Sequence, residues 1–138
     1  AVKGIDYLAD GAGTSAVSIT DTTVHDTTEQ GILIDALNGA TLTVTVNDND
    51  IDDTGWTSIF IGSRSGSQLT ATVDNNAVDD TGGRGIYLLA SGASSLLDGT
   101  VTNNIVNTTV TDGIYLHSDN GNNDFPLTVT GNFALNSS

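Results

Sequence analysis

Residues 41–55 read TLTVTVNDNDIDDTG, and two patterns meet in them. The first six residues alternate Thr with Leu or Val, the period-two signature of a strand with one buried face. The last nine, residues 47–55, hold four Asp and two Asn. Such a run suits either a calcium loop or a tight polar corner, because Asp and Asn serve both. The rest of the chain decides between them.

The same sentence of residues recurs. GILI begins at Gly31, SIFI at Ser58, GIYL at Gly85 and again at Gly113, and GIDYL at Gly4, at intervals of 27, 27, 27 and 28. In a second register VNDNDI (46–51), VDNNAV (73–78), VTNNIV (101–106) and VTGNFA (129–134) recur, with ITDTTV (19–24) in the first slot. The chain is five copies of one unit, and copies four and five carry one extra residue between the two landmarks. Each unit predicts three strands, the third very short. No run shows the three-and-four spacing of a helix.

A three-stranded unit of this size cannot bury its own apolar face, but stacked copies can, each strand pairing in parallel with its equivalent one rung away. The inner columns bear the consequence. They run Ile5, Ile32, Ile59, Ile86, Ile114; Tyr7, Ile34, Ile61, Leu88, Leu116; Ile19, Val46, Val73, Val101, Val129; and Val24, Ile51, Val78, Val106, Ala134. Two further columns run Ser15, Leu42, Leu69, Leu97, Phe125 and Val17, Val44, Ala71, Gly99, Leu127. Rungs about 4.8 Å apart give a rod roughly 24 Å tall. The expected fold is therefore all-β: one domain over residues 1–138, a single-stranded parallel β-helix of about five rungs starting near residues 4, 31, 58, 85 and 113, with right-handed crossovers.

In its GIxL strand starts and VxNNxV turns the chain resembles the right-handed parallel β-helix family, the pectate-lyase-like superfamily. The resemblance implies an internal ladder of stacked Asn side chains. The matching positions are Asn49, Asn76, Asn104 and Asn132, with Thr22 ending the ladder in the first rung.

Many members of that superfamily cleave acidic polysaccharides, and the residues do not match their machinery. The lyases pair calcium-binding acids with a basic proton acceptor on the first-strand face. The hydrolases carry paired Asp with Gly-His-Gly and Arg-Ile-Lys segments. DDTG occurs at 52–55 and 79–82, six or seven residues ahead of Ile59 and Ile86, whereas the hydrolase acids stand almost adjacent to that strand. Neither His25 nor His117 lies in a Gly-His-Gly segment, and Lys3 is the single Lys. The expectation is no enzyme, since a fold does not confer an activity.

Composition narrows the partners. Asp and Glu number 17 against three Lys and Arg, for a net charge of −14. That field opposes nucleic acid and anionic membranes. No apolar run approaches the roughly 20 residues that span a bilayer, so neither nucleic acid nor membrane insertion is expected. With no Cys, disulfides and thiolate zinc sites are excluded. Sixteen of the 17 acids are Asp, the acid of turns rather than helices.

Calcium is the one metal the acids could share. The EF-hand pattern fails, because Asp53 stands where its Gly belongs and Ile59 where its Glu belongs. GGRGIY (82–87) fails the calcium nonapeptide pattern, with Tyr87 in place of Asp. Stacking nonetheless aligns Asp26, Asp53 and Asp80 in one column and Asp52 and Asp79 in the next. Such carboxylates share a cation, splay into water, or accept backbone N–H groups. No cofactor motif is present.

An outward column reads Asp6, Leu33, Phe60, Tyr87, Tyr115, and the one two residues on reads Leu8, Asp35, Gly62, Leu89, His117. Leu33, Phe60, Tyr87 and Tyr115, extended by Trp56 in the preceding turn, form a stripe that either docks a sugar or protein or stacks on itself. The sequence starts and ends close to a rung, which suits a segment of a longer solenoid or rods stacking end to end. The functional expectation is a non-catalytic structural or adhesive module of a secreted or cell-surface bacterial protein. Its partner would be itself, in a filament or matrix, or neighbouring rungs. A carbohydrate-binding or polysaccharide-processing β-helix using the aromatic stripe is the alternative.

Overall fold

The computed structural model describes residues 2–119 and 124–137, with side chains through residue 135. Five rungs follow one another. The first contains β1 (Ile5–Asp10), β2 (Thr14–Thr20) and β3 (Thr23–Val24); the second β4 (Ile32–Leu37), β5 (Thr41–Asn47) and β6 (Asp50–Ile51). The third has β7 (Ile59–Arg64), β8 (Gln68–Asp74) and β9 (Ala77–Val78), and the fourth β10 (Ile86–Ser91), β11 (Leu96–Thr102) and β12 (Ile105–Thr109). The fifth has β13 (Ile114–Asp119), β14 (Leu127–Thr130) and β15 (Phe133–Ser137). Each strand pairs in parallel with its equivalents, giving sheets β1-β4-β7-β10-β13, β2-β5-β8-β11-β14 and β3-β6-β9-β12-β15. The described residues contain no helix. This is the β-solenoid expected from the repeats.

Register follows the columns. Ile5 pairs with Ile32, Ile32 with Ile59, Ile59 with Ile86 and Ile86 with Ile114. The inward side chains of the middle rungs are sealed: Ile32, Ile34, Val46, Ile51, Ile59, Ile61, Ile86, Leu88, Leu97 and Val101 are fully buried. A one-residue slip would turn every one of them outward. The last described rung is covered on one side only, and there Val129 is 42 % exposed.

The corners explain the Asp-rich composition. Asp21, Asp48, Asn75, Asn103 and Gly131 form one column with φ between 50° and 69°, and Asp26, Asp53, Asp80 and Thr108 form another with φ between 44° and 54°. This left-handed region penalises most side chains and is tolerated best by Gly, Asn and Asp. Within residues 47–55, Asp48 and Asp53 each make a sharp bend, and Ile51 points into the core.

The Asn side chains inside the coil are satisfied along its axis. Asn49 Nδ2 donates to Asn76 Oδ1 at 2.9 Å, Asn76 Nδ2 to Asn104 Oδ1 at 2.9 Å, and Asn104 Nδ2 to Asn132 Oδ1 at 2.9 Å. The same oxygens accept the backbone N–H of Asn49, Asn76 and Asn104 at 3.0–3.1 Å. Asn49 Oδ1 accepts the N–H of Thr22, whose own hydroxyl turns back to the Thr20 carbonyl. The ladder runs through Asn132, Asn104, Asn76 and Asn49 and stops at Thr22. A second internal column is made of hydroxyls. Thr27, Thr54, Thr81 and Thr109 are buried and joined by parallel bridges, and Ser58 Oγ lies 2.8 Å from Thr54 Oγ1 and 2.6 Å from Thr81 Oγ1.

Candidate functional site

The outer face of the first sheet carries the stripe in the expected register, Leu33 beside Phe60, Phe60 beside Tyr87 and Tyr87 beside Tyr115. The rings meet edge to face, with centroids 5.1 Å apart for Phe60–Tyr87 and 5.0 Å for Tyr87–Tyr115. His117 stacks on Tyr115 at 5.6 Å. Two guanidinium groups cover them. Arg64 lies 5.3 Å from the Phe60 centroid, and Arg84 lies 4.9 Å from Tyr87 and 4.1 Å from Tyr115. Arg84 is held there by donating from Nε to Asp112 at 3.1 Å. Phe60 is only 6 % exposed. The aromatic column is therefore a self-stacked ladder roofed by arginines, each such contact worth about 0.5–1 kcal/mol. It is not an open platform. Trp56 stands exposed on the corner before β7 and is not part of the ring stack.

Open space lies on the same face at rungs one and two. A groove of about 500 Å³ is lined by Leu8, Leu33 and Leu37, with Lys3 and Asp6 at its rim and Asp35 beside them. Lys3 Nζ bonds Asp6 Oδ2 at 2.9 Å. Asp35 sits on β4 in the outward column next to Gly62. A Cβ on Gly62 would fall 2.6 Å from Asp35 Oδ1 and 3.0 Å from the Phe60 ring. The absent side chain is what lets the carboxylate and the ring share that spot.

Asp35 is poorly compensated there. Its side chain is 14 % exposed, and Oδ2 lies 3.3 Å from Arg64 Nη1. Asp35 Oδ1 and Arg64 Nε are buried without hydrogen-bond partners. Burial pushes the Asp35 carboxyl up to about 6, against the opposing pull of Arg64 and the Ala36 N–H, and the nearby Asp6 adds to the rise. A carboxyl with a raised pKa in a groove is a mark of a functional site. Sequence reading did not select Asp35 or Arg64. The signal was present in the outward column, where an acid is followed one rung on by Gly62, with Arg64 two residues beyond.

The aligned acids are differently engaged. Asp52 Oδ1 accepts the Asp53 N–H at 2.9 Å and Asp79 Oδ1 the Asp80 N–H at 2.8 Å, so these two cap their own corners. Asp26 bonds His25 Nδ1 at 2.8 Å. Hydrogen bonds from His25 and Asp53 hold Asp26 below the usual carboxylate range, and Asp26 pushes Asp53 above it. Among the described residues no group of three or more His, Cys, Asp or Glu is placed to hold a metal ion.

The profile of a family described as "Periplasmic copper-binding protein (NosD)" matches residues 4–136, nearly the full length. The chain belongs to this NosD family. No curated protein and no solved structure matches it significantly.

The family's description raises the question of copper, and the donor set does not fit it. Copper sites draw on thiolate, thioether and imidazole ligands. This chain has no Cys, no Met and two His. His25 follows β3 in the first rung and His117 lies on β13 in the fifth, four rungs away. A metal bound to the native state alone must raise its stability. Addition of Cu²⁺ or Ca²⁺ to about ten times the protein concentration is therefore expected to leave the melting temperature within about 1 °C of its starting value by differential scanning calorimetry. A saturable rise with either ion would show a site built from these residues.

Proposed function

We propose that this chain is a non-catalytic binding module of the bacterial cell envelope, a β-solenoid that holds neutral carbohydrate in the groove beside Asp35. The family description, a periplasmic protein, supports the location. The groove supports the ligand class. Its volume, about 500 Å³, lies within the range of small-ligand sites. Leucine walls suit the C–H face of a sugar ring. Asp35 supplies an acceptor, and Lys3 a donor, for the hydroxyls at its edge. The four charges, Lys3 and Arg64 against Asp6 and Asp35, cancel, so an uncharged ligand is favoured. A uronic acid polymer would meet the repulsion of a protein at −14,. The observation that carries the reading is the Asp35 carboxylate in the groove wall, 14 % exposed and held by a single arginine, whose accessible edge a sugar hydroxyl would bond.

Asp35→Asn tests it on two axes. A hydrogen bond to a charged group contributes roughly 1.5–3 kcal/mol, so neutral oligosaccharides titrated by calorimetry or NMR should bind about tenfold or more weakly to the variant. Stability should move the other way. Because burial raises the folded pKa of Asp35 from 3.8 to about 6, ionisation disfavours the folded state as pH climbs through that window. The variant should therefore be as stable as the parent below about pH 4 and more stable at pH 7. Equal sugar binding by both proteins, or no binding by the parent across a panel of neutral glycans, would sink the groove as the site. Release of new reducing ends from a bound glycan would overturn its non-catalytic part.

A further inference from the structure

The third sheet changes character along the axis, and the change is abrupt. Residues 20–29, 47–56 and 74–83, which form that sheet and its corners in the first three rungs, contain ten of the 17 acids. The equivalent residues 102–111 and 130–138 contain none. At one outward column Asp50 and Ala77 give way to Ile105 and Phe133, which pair with each other. Two residues further along, where Asp52 and Asp79 stand in earlier rungs, the chain has Asn107 paired with Leu135. Ile105 is 56 % exposed, Phe133 60 % and Leu135 45 %. These side chains point away from the coil axis, so a further rung would lie beside them and not over them. Phe133 and Leu135 are two apart on one strand, and Ile105 is the ladder partner of Phe133. The three form one contiguous apolar patch of a few hundred Å², comparable with the largest patch of an ordinary soluble monomer, which is often functional.

We propose that this patch joins two copies of the chain across a two-fold axis, through the third-sheet faces of their fourth and fifth rungs. Charge selects that occupant and that geometry. Two bodies at −14 repel,. A patch-to-patch meeting is the arrangement that brings together the acid-free segments while directing the ten-acid segments to opposite ends. Head-to-tail contact would lay the patch of one copy against the acids of another, and burying an unpaired carboxylate on an apolar surface is costly. A cationic partner would be drawn to rungs one to three instead. The same patch on both subunits also closes the assembly at two copies. The patch is smaller than the roughly 800 Å² per partner of a standard stable interface, so the dimer is weak and reversible.

Sedimentation equilibrium across about 1 to 500 µM protein, at low and at 0.5 M salt, tests this. The expected result is a monomer–dimer equilibrium with a dissociation constant of about 10–100 µM at high salt, loosening several-fold at low salt as the repulsion between the two bodies loses its screening. Phe133→Asp should weaken it at least tenfold, with far-UV circular dichroism unchanged because the residue is exposed. Val2→Asp, which alters an exposed apolar residue ahead of the first rung, should leave it alone. A monomer at every concentration at 0.5 M salt, unlimited growth past the dimer, or a Phe133→Asp protein that dimerises like the parent would each overturn the proposal.

Discussion

Asn76→Ala should lower the melting temperature by about 15 °C or prevent folding at 37 °C. Asn76 sits at the centre of the ladder. Its Oδ1 receives both the backbone N–H and the side-chain Nδ2 of Asn49, and its own Nδ2 reaches the Val46 and Asp74 carbonyls and Asn104 Oδ1. Truncation strands the Asn49 N–H inside the coil, a buried orphan costing about 1–3 kcal/mol, and removes the side-chain bonds to Val46, Asp74, Asn49 and Asn104, each worth about 0.5–1.5 kcal/mol. Water cannot easily replace the lost groups, because Asn49, Asn76 and Asn104 are all at most 2 % exposed. The sum, about 4 kcal/mol or more, is a large part of the 5–15 kcal/mol that holds a domain folded. For a chain of this size each kcal/mol shifts the midpoint by about 3–4 °C. The position within the ladder should grade the effect. Asn132 in the fifth rung is only partly buried, so Asn132→Ala should cost well under half as much. The first rung already has Thr22 at this place. Urea denaturation of the three proteins, Asn76→Ala, Asn132→Ala and the parent, measures the gradient. Equal loss for the two variants would mean that the ladder contributes through turn conformation and not through buried hydrogen bonds.

Most of the fold was legible in the sequence because each unit repeats one physical instruction. A column such as Ile32, Ile59, Ile86 states its own burial three times over, and a column such as Asp48, Asn75, Asn103 states a left-handed corner. Less legible was whatever depends on where a long side chain comes to rest. Phe60 and Tyr115 read as an outward aromatic stripe, but Arg64 and Arg84 fold over their faces, and nothing in the column spacing records that rotamer. The hydroxyl column Thr27, Thr54, Thr81, Thr109 carries no sequence signal of its own, because Thr is equally at home in an exposed turn and is buried at low cost only where its hydroxyl finds a partner. Ser58 provides one for Thr54 and Thr81. The third strand was expected to be very short throughout. It is two residues long in rungs one to three and five in rungs four and five. Asp52 and Asp79 bond the following N–H and break the strand early, whereas Asn107 and Leu135 stand at those places and the strand pairing runs on. Asp35 was the hardest residue to see. Its unusual carboxyl arises from burial in the space that Gly62 leaves open, one rung away, against the opposing pull of an arginine two residues beyond that.

Gly55→Ala is the second large effect, expected to cost about 3 kcal/mol or more and roughly 10 °C in melting temperature. The Gly55 N–H donates to the Thr27 carbonyl at 2.8 Å, which draws the second rung onto the first. A Cβ at Gly55 would then lie 2.3 Å from the Thr28 carbonyl oxygen and 2.7 Å from its carbon. Both are backbone atoms, held by a ladder that continues through the Thr27–Thr54 bridge and the Trp56 N–H to Glu29 carbonyl bond at 3.1 Å. No side chain can turn aside to make room. The rungs themselves must separate, and separation stretches the pairing on either side. Gly39→Ala makes the proper comparison. Gly39 has φ of 81° but nothing within 4 Å of the added Cβ, so that change should cost only the roughly 1–2 kcal/mol of a left-handed Ala. If the two variants lose the same stability, strain at the glycine outweighs rung contact. Gly82 repeats the clash one interface further along, its Cβ lying 2.3 Å from the Gly55 carbonyl oxygen. Gly82→Ala opens the interface between rungs two and three, while Gly55→Ala opens the one between rungs one and two. In a quasi-one-dimensional stack, where stability sums over neighbouring rungs, the double variant should lose nearly the sum of the two. A shortfall from that sum would measure how far one separated interface relaxes the next.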